Sequence, residues 1–180
     1  FAERYRRLEK KMAVQEKDPC RKVELTAISR VLARVPAQPA SSFHEALQMV
    51  WLMQLIPQIE SNGFSISLGR LDQYCWPYLK ADLAAGTITL EQAQELLDLL
   101  WLKFCEILRV DSRDAAEVNA GYYVAGQNIE VGGVDRGGHD CTILLSYLCL
   151  NANRHIQLHQ PNFTIRLHAG TPQEFLDHAV

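Results

Sequence analysis

The segment Ser42–Ile59 constrains this chain more than any other. Ser42-Phe-His-Glu45 has the form of a capping box, in which the Ser42 hydroxyl accepts from the Glu45 N–H and the Glu45 carboxylate reaches back. The helix it opens is apolar on most sides: Ala46, Leu47, Met49, Val50, Trp51, Leu52, Met53, Leu55 and Ile56. A helix with so little polar surface must be covered on more than one side, which places it inside a substantial body rather than on a small free-standing domain. The run Ala46–Ile59 is interrupted by Gln48, Gln54, Pro57 and Gln58 and falls short of the roughly 20 apolar residues that a membrane span needs.

The other segments read as helices divided by short turns and a few strands. Phe1–Met12 is a charged helix end. Asp18-Pro19 opens a helix to about Val35 with Val23, Ala27, Val31 and Val35 on one face, and Pro36 and Pro39 end it. Phe64–Leu68 alternates as a strand does and Gly69 closes it. Leu71–Ala84 is helical, with Pro77 as a kink or a break. Thr89-Leu-Glu-Gln92 is a second capping box, and its helix runs to about Arg109 with an apolar stripe of Ala93, Leu96, Leu97, Leu100, Trp101 and Phe104. Asp111–Gly126 has no clear period. Asn128–Val131 and Pro161–Leu167 are strands. Asp140 caps a helix over Cys141–Arg154, and Thr171-Pro-Gln-Glu174 is a third box. Strands this few and this widely separated imply a helix-rich α/β fold with parallel crossovers.

Composition narrows the functional classes. Eighteen basic and 21 acidic side chains give a net charge of -3, which argues against nucleic acid as a partner. Five cysteines at irregular spacing make a poor disulfide framework, so a reducing, cytoplasmic setting is expected, and with no C-x-x-C pair no cysteine-rich zinc site. The chain opens on Phe1 and stays charged to Lys11, so no secretory leader is expected and the true start is expected upstream.

Taken singly, the chemical motifs are weak. Gly132–Gly138 can cradle a phosphate or be a plain tight loop, and the loop is favoured because no Lys-Ser/Thr follows it. His155 and His159 have ligand spacing but straddle an expected helix end, so solvated or satisfied histidines are favoured. Ser65 and Ser67 share one strand face, which points either at a ligand or at solvent. Arg70 and Asp72 form either an internal tether, the favoured reading, or an anion site made by Arg70.

The combination resembles the glycyl radical enzymes of the pyruvate formate-lyase-like family. The resemblance rests on Ser42–Gln48, Ile59–Gly63, Ser65-Ile-Ser-Leu-Gly-Arg-Leu-Asp-Gln-Tyr74 with Pro77-Tyr78, Gly126-Gln-Asn128 with Val131–Gly133, and Gln160-Pro-Asn162 with Arg166–His168. It covers most of the chain from Arg34 onward and looks closer to the dehydratase, lyase and decarboxylase branches. It implies part of a ten-stranded α/β barrel, with residues 1–180 a partial barrel domain continuing beyond both ends. It also implies a glycine radical, installed by a radical SAM activating enzyme, that passes to a cysteine whose thiyl takes a hydrogen atom from a small-molecule substrate. Elimination, decarboxylation or bond cleavage follows, commonly in a homodimer.

The family's Cys-x-Glu is absent here, since Lys22, Pro77, Ile107, Ile143 and Asn151 stand two residues after the five cysteines. No catalytic residue, bound cofactor or metal ligand is therefore assigned to this chain, and the 180-residue piece alone is expected to be inactive and prone to aggregate. What the resemblance carries over is pocket wall. Ser65 matches a cavity-lining serine. Phe64 stands where hydroxyl-eliminating members often have histidine, which favours a less polar or aromatic substrate. Tyr122 or Tyr123 either packs on the substrate or belongs to the core, and Arg70 and Asp72 are framework. The competing reading is a non-catalytic helical scaffold or a decayed remnant of the family.

Overall fold

The computed structural model describes residues 1–63, 66–108, 112–118 and 126–180. Helices α1 (Ala2–Gln15) and α2 (Pro19–Arg34) pair as a hairpin, and α3 (Phe43–Ser61) leads into the short strand β1 (Gly69–Arg70). Helices α4 (Leu71–Ala85), α5 (Leu90–Cys105) and α6 (Arg113–Val118) precede β2 (Asn128–Gly132). Helix α7 (Leu144–Ile156) separates β2 from β3 (Asn162–Arg166), and α8 (Gln173–Ala179) follows. The strands form one parallel sheet in the order β1-β2-β3, with Gly69 opposite Ile129 and Ile129 opposite Phe163. The expected helix-rich α/β fold with long parallel crossovers is the observed one. Among the described residues no helix is long and apolar enough to cross a membrane.

One core joins α3, α4, α5, α7 and α8 to the helix-facing side of the sheet, with Phe43, Leu79, Leu97, Trp101, Phe104 and Phe175 at its centre. The stripe expected on α5 supplies much of it. Helix α3 buries Phe43, Ala46, Leu47 and Leu52, while Met53 and Ile59 stay exposed.

Local signals account for the starts of α2, α3 and α5. Asp18 accepts from the Cys20 N–H at 2.9 Å, and the Thr89–Gln92 box closes in both directions, at 2.9 and 3.2 Å. The Ser42 box closes on one side only. The Ser42 hydroxyl accepts from the Glu45 N–H at 3.2 Å, but the Glu45 carboxylate takes the Ser41 N–H and hydroxyl at 2.7 and 2.8 Å and pairs with Arg34 at 3.2 Å.

Several expectations are corrected. Of the face expected on α2, Val31 and Val35 are buried and Ala27 half-buried, with Leu25 and Leu32 buried beside them, whereas Val23 is 69% exposed. Ile66–Leu68 is not assigned as strand: a side chain takes the Ile66 carbonyl (Gln54 Nε2, 2.7 Å), the first main-chain bond to β2 is from the Leu68 N–H to the Asn128 carbonyl, and the strand itself is Gly69–Arg70, which begins at the residue expected to end it. Helix α4 continues through Pro77, so of the two alternatives there the break is excluded. Helix α5 stops at Cys105 rather than Arg109. Helix α7 starts at Leu144, not Cys141, since Asp140 accepts from the Thr142 N–H and hydroxyl and from His168. Thr171 does not cap α8, because its hydroxyl accepts from the His168 N–H at 2.9 Å.

The glycine loop holds no phosphate cradle. Asp135 places its own Oδ1 on the Gly137 and His139 N–H groups, at 2.7 and 2.9 Å, so the chain fills the anion position itself. The loop closes as a bridge between Val134 and Asp140.

Burial sets the reactivity of the thiols. Cys75 and Cys149 are buried, and desolvation pushes Cys75 up to about 12 and Cys149 well above the ordinary thiol range. At pH 8 the reactive thiolate of Cys75 is then on the order of one part in ten thousand. Iodoacetamide under native conditions is expected to label the exposed Cys20 and spare Cys75 and Cys149 until the chain unfolds, as read by peptide mass mapping.

Candidate functional site

The pleat gives the sheet two different faces. Ile129 and Val131 are fully buried against the helices. Asn128 and Glu130 alternate with them on the opposite face, at the levels of Asn162 and Thr164 of β3. That face is polar and cross-linked: the Thr164 hydroxyl donates to Asn128 Oδ1 at 3.0 Å, and Arg166 meets Glu130 at 3.1 Å.

The N-terminal ends of the strands are tied by three buried glutamines. Gln54 Nε2 donates to the Ile66 carbonyl at 2.7 Å and to Gln127 Oε1 at 3.0 Å. Gln127 Nε2 donates to the Phe104 carbonyl at 2.8 Å, closing the link to the end of α5. Gln160 Oε1 accepts from the Gln127 N–H at 2.9 Å, and the Gln127 carbonyl accepts from the Asn162 N–H at 2.8 Å. The Cys105 thiol donates to the Gln160 carbonyl at 2.8 Å. Gln54, Gln127 and Gln160 are 4%, 0% and 2% exposed, so each amide satisfied here avoids the cost of a buried unpaired polar group.

The C-terminal end of β2 is held by a second clamp. Arg70 donates to the carbonyls of Gly132 and Val134, at 2.6 and 2.9 Å. Asp72, with no exposed surface, accepts from the Gly132 N–H at 2.8 Å and from the Ser146 hydroxyl at 2.6 Å through one oxygen. Gly132 lies at φ +72°, and a Cβ there would stand 3.2 Å from the Arg166 carbonyl, so glycine fits where a side chain would strain. Arg70 and Asp72 therefore grip the same residue, Gly132, through its carbonyl and its N–H, and no ion pair joins them among the described residues; this corrects the expected tether.

A cleft of about 550 Å³ opens between α3, residues 66–68 and α4. Met49, Met53, Gln54, Tyr74, Cys75 and Tyr78 line it. Burial pushes the Tyr74 phenol and the Cys75 thiol upward, so both are neutral at pH 7. Such a surface can enclose an apolar group and exclude water, and it supplies neither a nucleophile nor a general base.

Phe64, Ser65, Tyr122 and Tyr123, the wall residues expected from the sequence, lie outside the described residues. Their described chain neighbours are Gly63 and Ile66 on one side and Gly126 on the other, next to the glutamine ties. His155 Nδ1 meets Asp98 at 2.8 Å and His168 Nε2 meets Asp140 at 2.9 Å, so each of these imidazoles has a carboxylate partner. Among the described residues no group of three or more His, Cys, Asp or Glu is placed to hold a metal ion. Sequence reasoning missed Gln54, Gln127, Gln160 and Ser146. The available signal was that Gln54 breaks an apolar helix while Gln127 and Gln160 each sit just before a strand.

Comparison with known proteins agrees with this architecture. The profile of the pyruvate formate lyase-like family matches residues 1–180. Isethionate sulfite-lyase of Nitratidesulfovibrio vulgaris is 37% identical over 178 residues, which cover 98% of this chain and 21% of that protein. A Roseburia inulinivorans structure solved for 1,2-propanediol dehydration superposes with a TM-score of 0.95 at 42% identity, covering 99% of this chain and 21% of that one. A glycyl radical enzyme from Archaeoglobus fulgidus superposes at 0.90 with 35% identity, covering 97% and 22%. The chain thus spans about a fifth of the length of these relatives. Matched along its whole length, and folded like the corresponding part of the glycyl radical enzymes, the chain belongs to the pyruvate formate lyase-like family.

Proposed function

We propose that this chain forms part of the substrate-cavity wall of a glycyl radical enzyme acting on a small organic molecule by elimination, decarboxylation or C–C or C–X cleavage. The observation that carries the reading is the match of the whole chain to one continuous part of dehydratases and lyases of this type. In this reading residues 1–180 are a section of one barrel domain that continues beyond both ends. A glycyl radical, held outside these residues and installed by a radical SAM activating enzyme, supplies hydrogen-atom chemistry through a cysteine likewise outside them. The intact protein is a cytoplasmic homodimer. The 180 residues alone have no turnover, because neither reactive group is among them.

The chain's own residues bind and orient. Ser65 offers a hydroxyl to a polar substituent, and Phe64 and one of Tyr122 and Tyr123 present ring faces that favour a less polar or aromatic substrate. Arg70 and Asp72 stiffen the frame behind them through Gly132. The polar sheet face, with its Asn128–Thr164 and Glu130–Arg166 pairs, is the side this reading turns toward the cavity.

The test is anaerobic expression of the complete reading frame with an activating enzyme. An organic-radical doublet in electron paramagnetic resonance and turnover of one member of a panel of diols, sulfonates and arylacetates are expected. Ser65→Ala should leave the radical signal intact and raise KM about 5- to 10-fold, the loss of one hydrogen bond. No radical under activating conditions, or an unchanged KM, would overturn the reading.

A further inference from the structure

The glutamine ties do more than satisfy polar atoms. Gln54 lies 73 residues from Gln127 in sequence, and Gln127 lies 33 from Gln160. Their bonds reach a carbonyl before β1 (Ile66), the end of α5 (Phe104) and the residues that enter β2 and β3. A ladder of parallel strands repeats along its length, so the ladder alone does not fix where each strand begins. A side-chain amide of fixed length, donating at one end and accepting at the other, does fix it.

We propose that Gln54, Gln127 and Gln160 are positioning residues that set the relative heights at which the chain enters β1, β2 and β3. Their relevance to substrate rests on the cavity-wall reading above, since the expected wall residues adjoin these entries in sequence. Side-chain length matters as much as polarity: asparagine at 127 is one methylene too short to span Gln54 and the Phe104 carbonyl together. The direction of the amide matters as well, because Gln127 must accept from Gln54 and donate to Phe104.

The experiment is site-resolved amide exchange on the complete protein expressed from the full reading frame and on its Gln127→Ala, Gln127→Glu and Gln54→Met variants, without substrate or radical. The entry amides are those of Leu68, Gln127 and Asn162, bonded to Asn128, Gln160 and Gln127. The control is the Gly132 amide at the far end of β2, bonded to Asp72. Gln127→Ala is expected to speed exchange at the entries at least 10-fold with under 3-fold change at Gly132. Gln127→Glu puts an acceptor against the Phe104 carbonyl when ionised and a donor when protonated. Its entries should exchange fast at pH 8 and return toward wild-type values, corrected for intrinsic rates, at pH 5.

Should Gln127→Ala prove unfolded, Gln54→Met keeps the volume and removes only the ties to Ile66 and Gln127. Its Leu68 and Gln127 amides should still loosen selectively. Equal acceleration at entries and control, or no recovery of Gln127→Glu in acid, overturns the proposal. Neither readout involves substrate, so failure here leaves the wall reading standing and failure of the Ser65 test leaves this one standing.

Discussion

Replacing Asp72 by alanine is expected to lower the free energy of unfolding by about 2–5 kcal/mol, whereas Asp72→Asn should cost less than about 1 kcal/mol. One Asp72 oxygen accepts from both the Gly132 N–H and the Ser146 hydroxyl, while the other is buried without a partner. Alanine leaves two buried donors unpaired. Asparagine keeps an accepting oxygen in the same place and sets its amide nitrogen where the carboxylate has no bond to lose. Urea unfolding followed by tryptophan fluorescence measures both variants. Equal losses for the two would mean that charge, rather than the accepting oxygen, holds the end of β2.

Phe104→Ala is expected to cost about 3–5 kcal/mol. The ring is fully buried and lies 6.3 Å from Trp51 and 6.2 Å from Trp101, the latter edge to face. Its removal opens a cavity among aromatic groups that a helix-locked neighbourhood cannot collapse to fill. The same residue's carbonyl anchors Gln127, so any shift of the backbone there reaches the entry to β2. Phe104→Leu refills most of the volume and should cost about 1–2 kcal/mol. The near-ultraviolet dichroism should fall in the alanine variant and persist in the leucine one. An alanine variant within about 1 kcal/mol of wild type would show that this part of the core is loosely packed.

What the sequence disclosed was largely what is local. Asp18 and Thr89 cap as read, because the groups they satisfy lie two or three residues away. The stripe on α5 was legible because a helix buried on one face must repeat its apolar residues. Asp140 and Thr171 carry equally good local signals, yet both are spent on His168. Arg70 and Asp72 looked like partners because they are close in sequence, but their true partner, Gly132, lies about sixty positions away. The three glutamines were the hardest to read, since an isolated amide looks the same facing water or buried in a tie. Gln127 and Gln160 entered the resemblance only as letters, in Gly-Gln-Asn and Gln-Pro-Asn, and Gln54 did not enter it; the structure gives the first two a physical reason. The wall residues Phe64, Ser65, Tyr122 and Tyr123 rest on the resemblance alone.

Among the described residues β1 and β3 each pair on one side only, with β2 between them. A margin of that kind is recognised through main-chain N–H and C=O groups, which every residue except proline presents alike. Whatever lies against it reads the course of the backbone and is nearly blind to the letters along it. A substitution of an outward-pointing residue on that margin changes little of what it presents, while one at Gln127 or Asp72, whose side chains set the course, changes it directly.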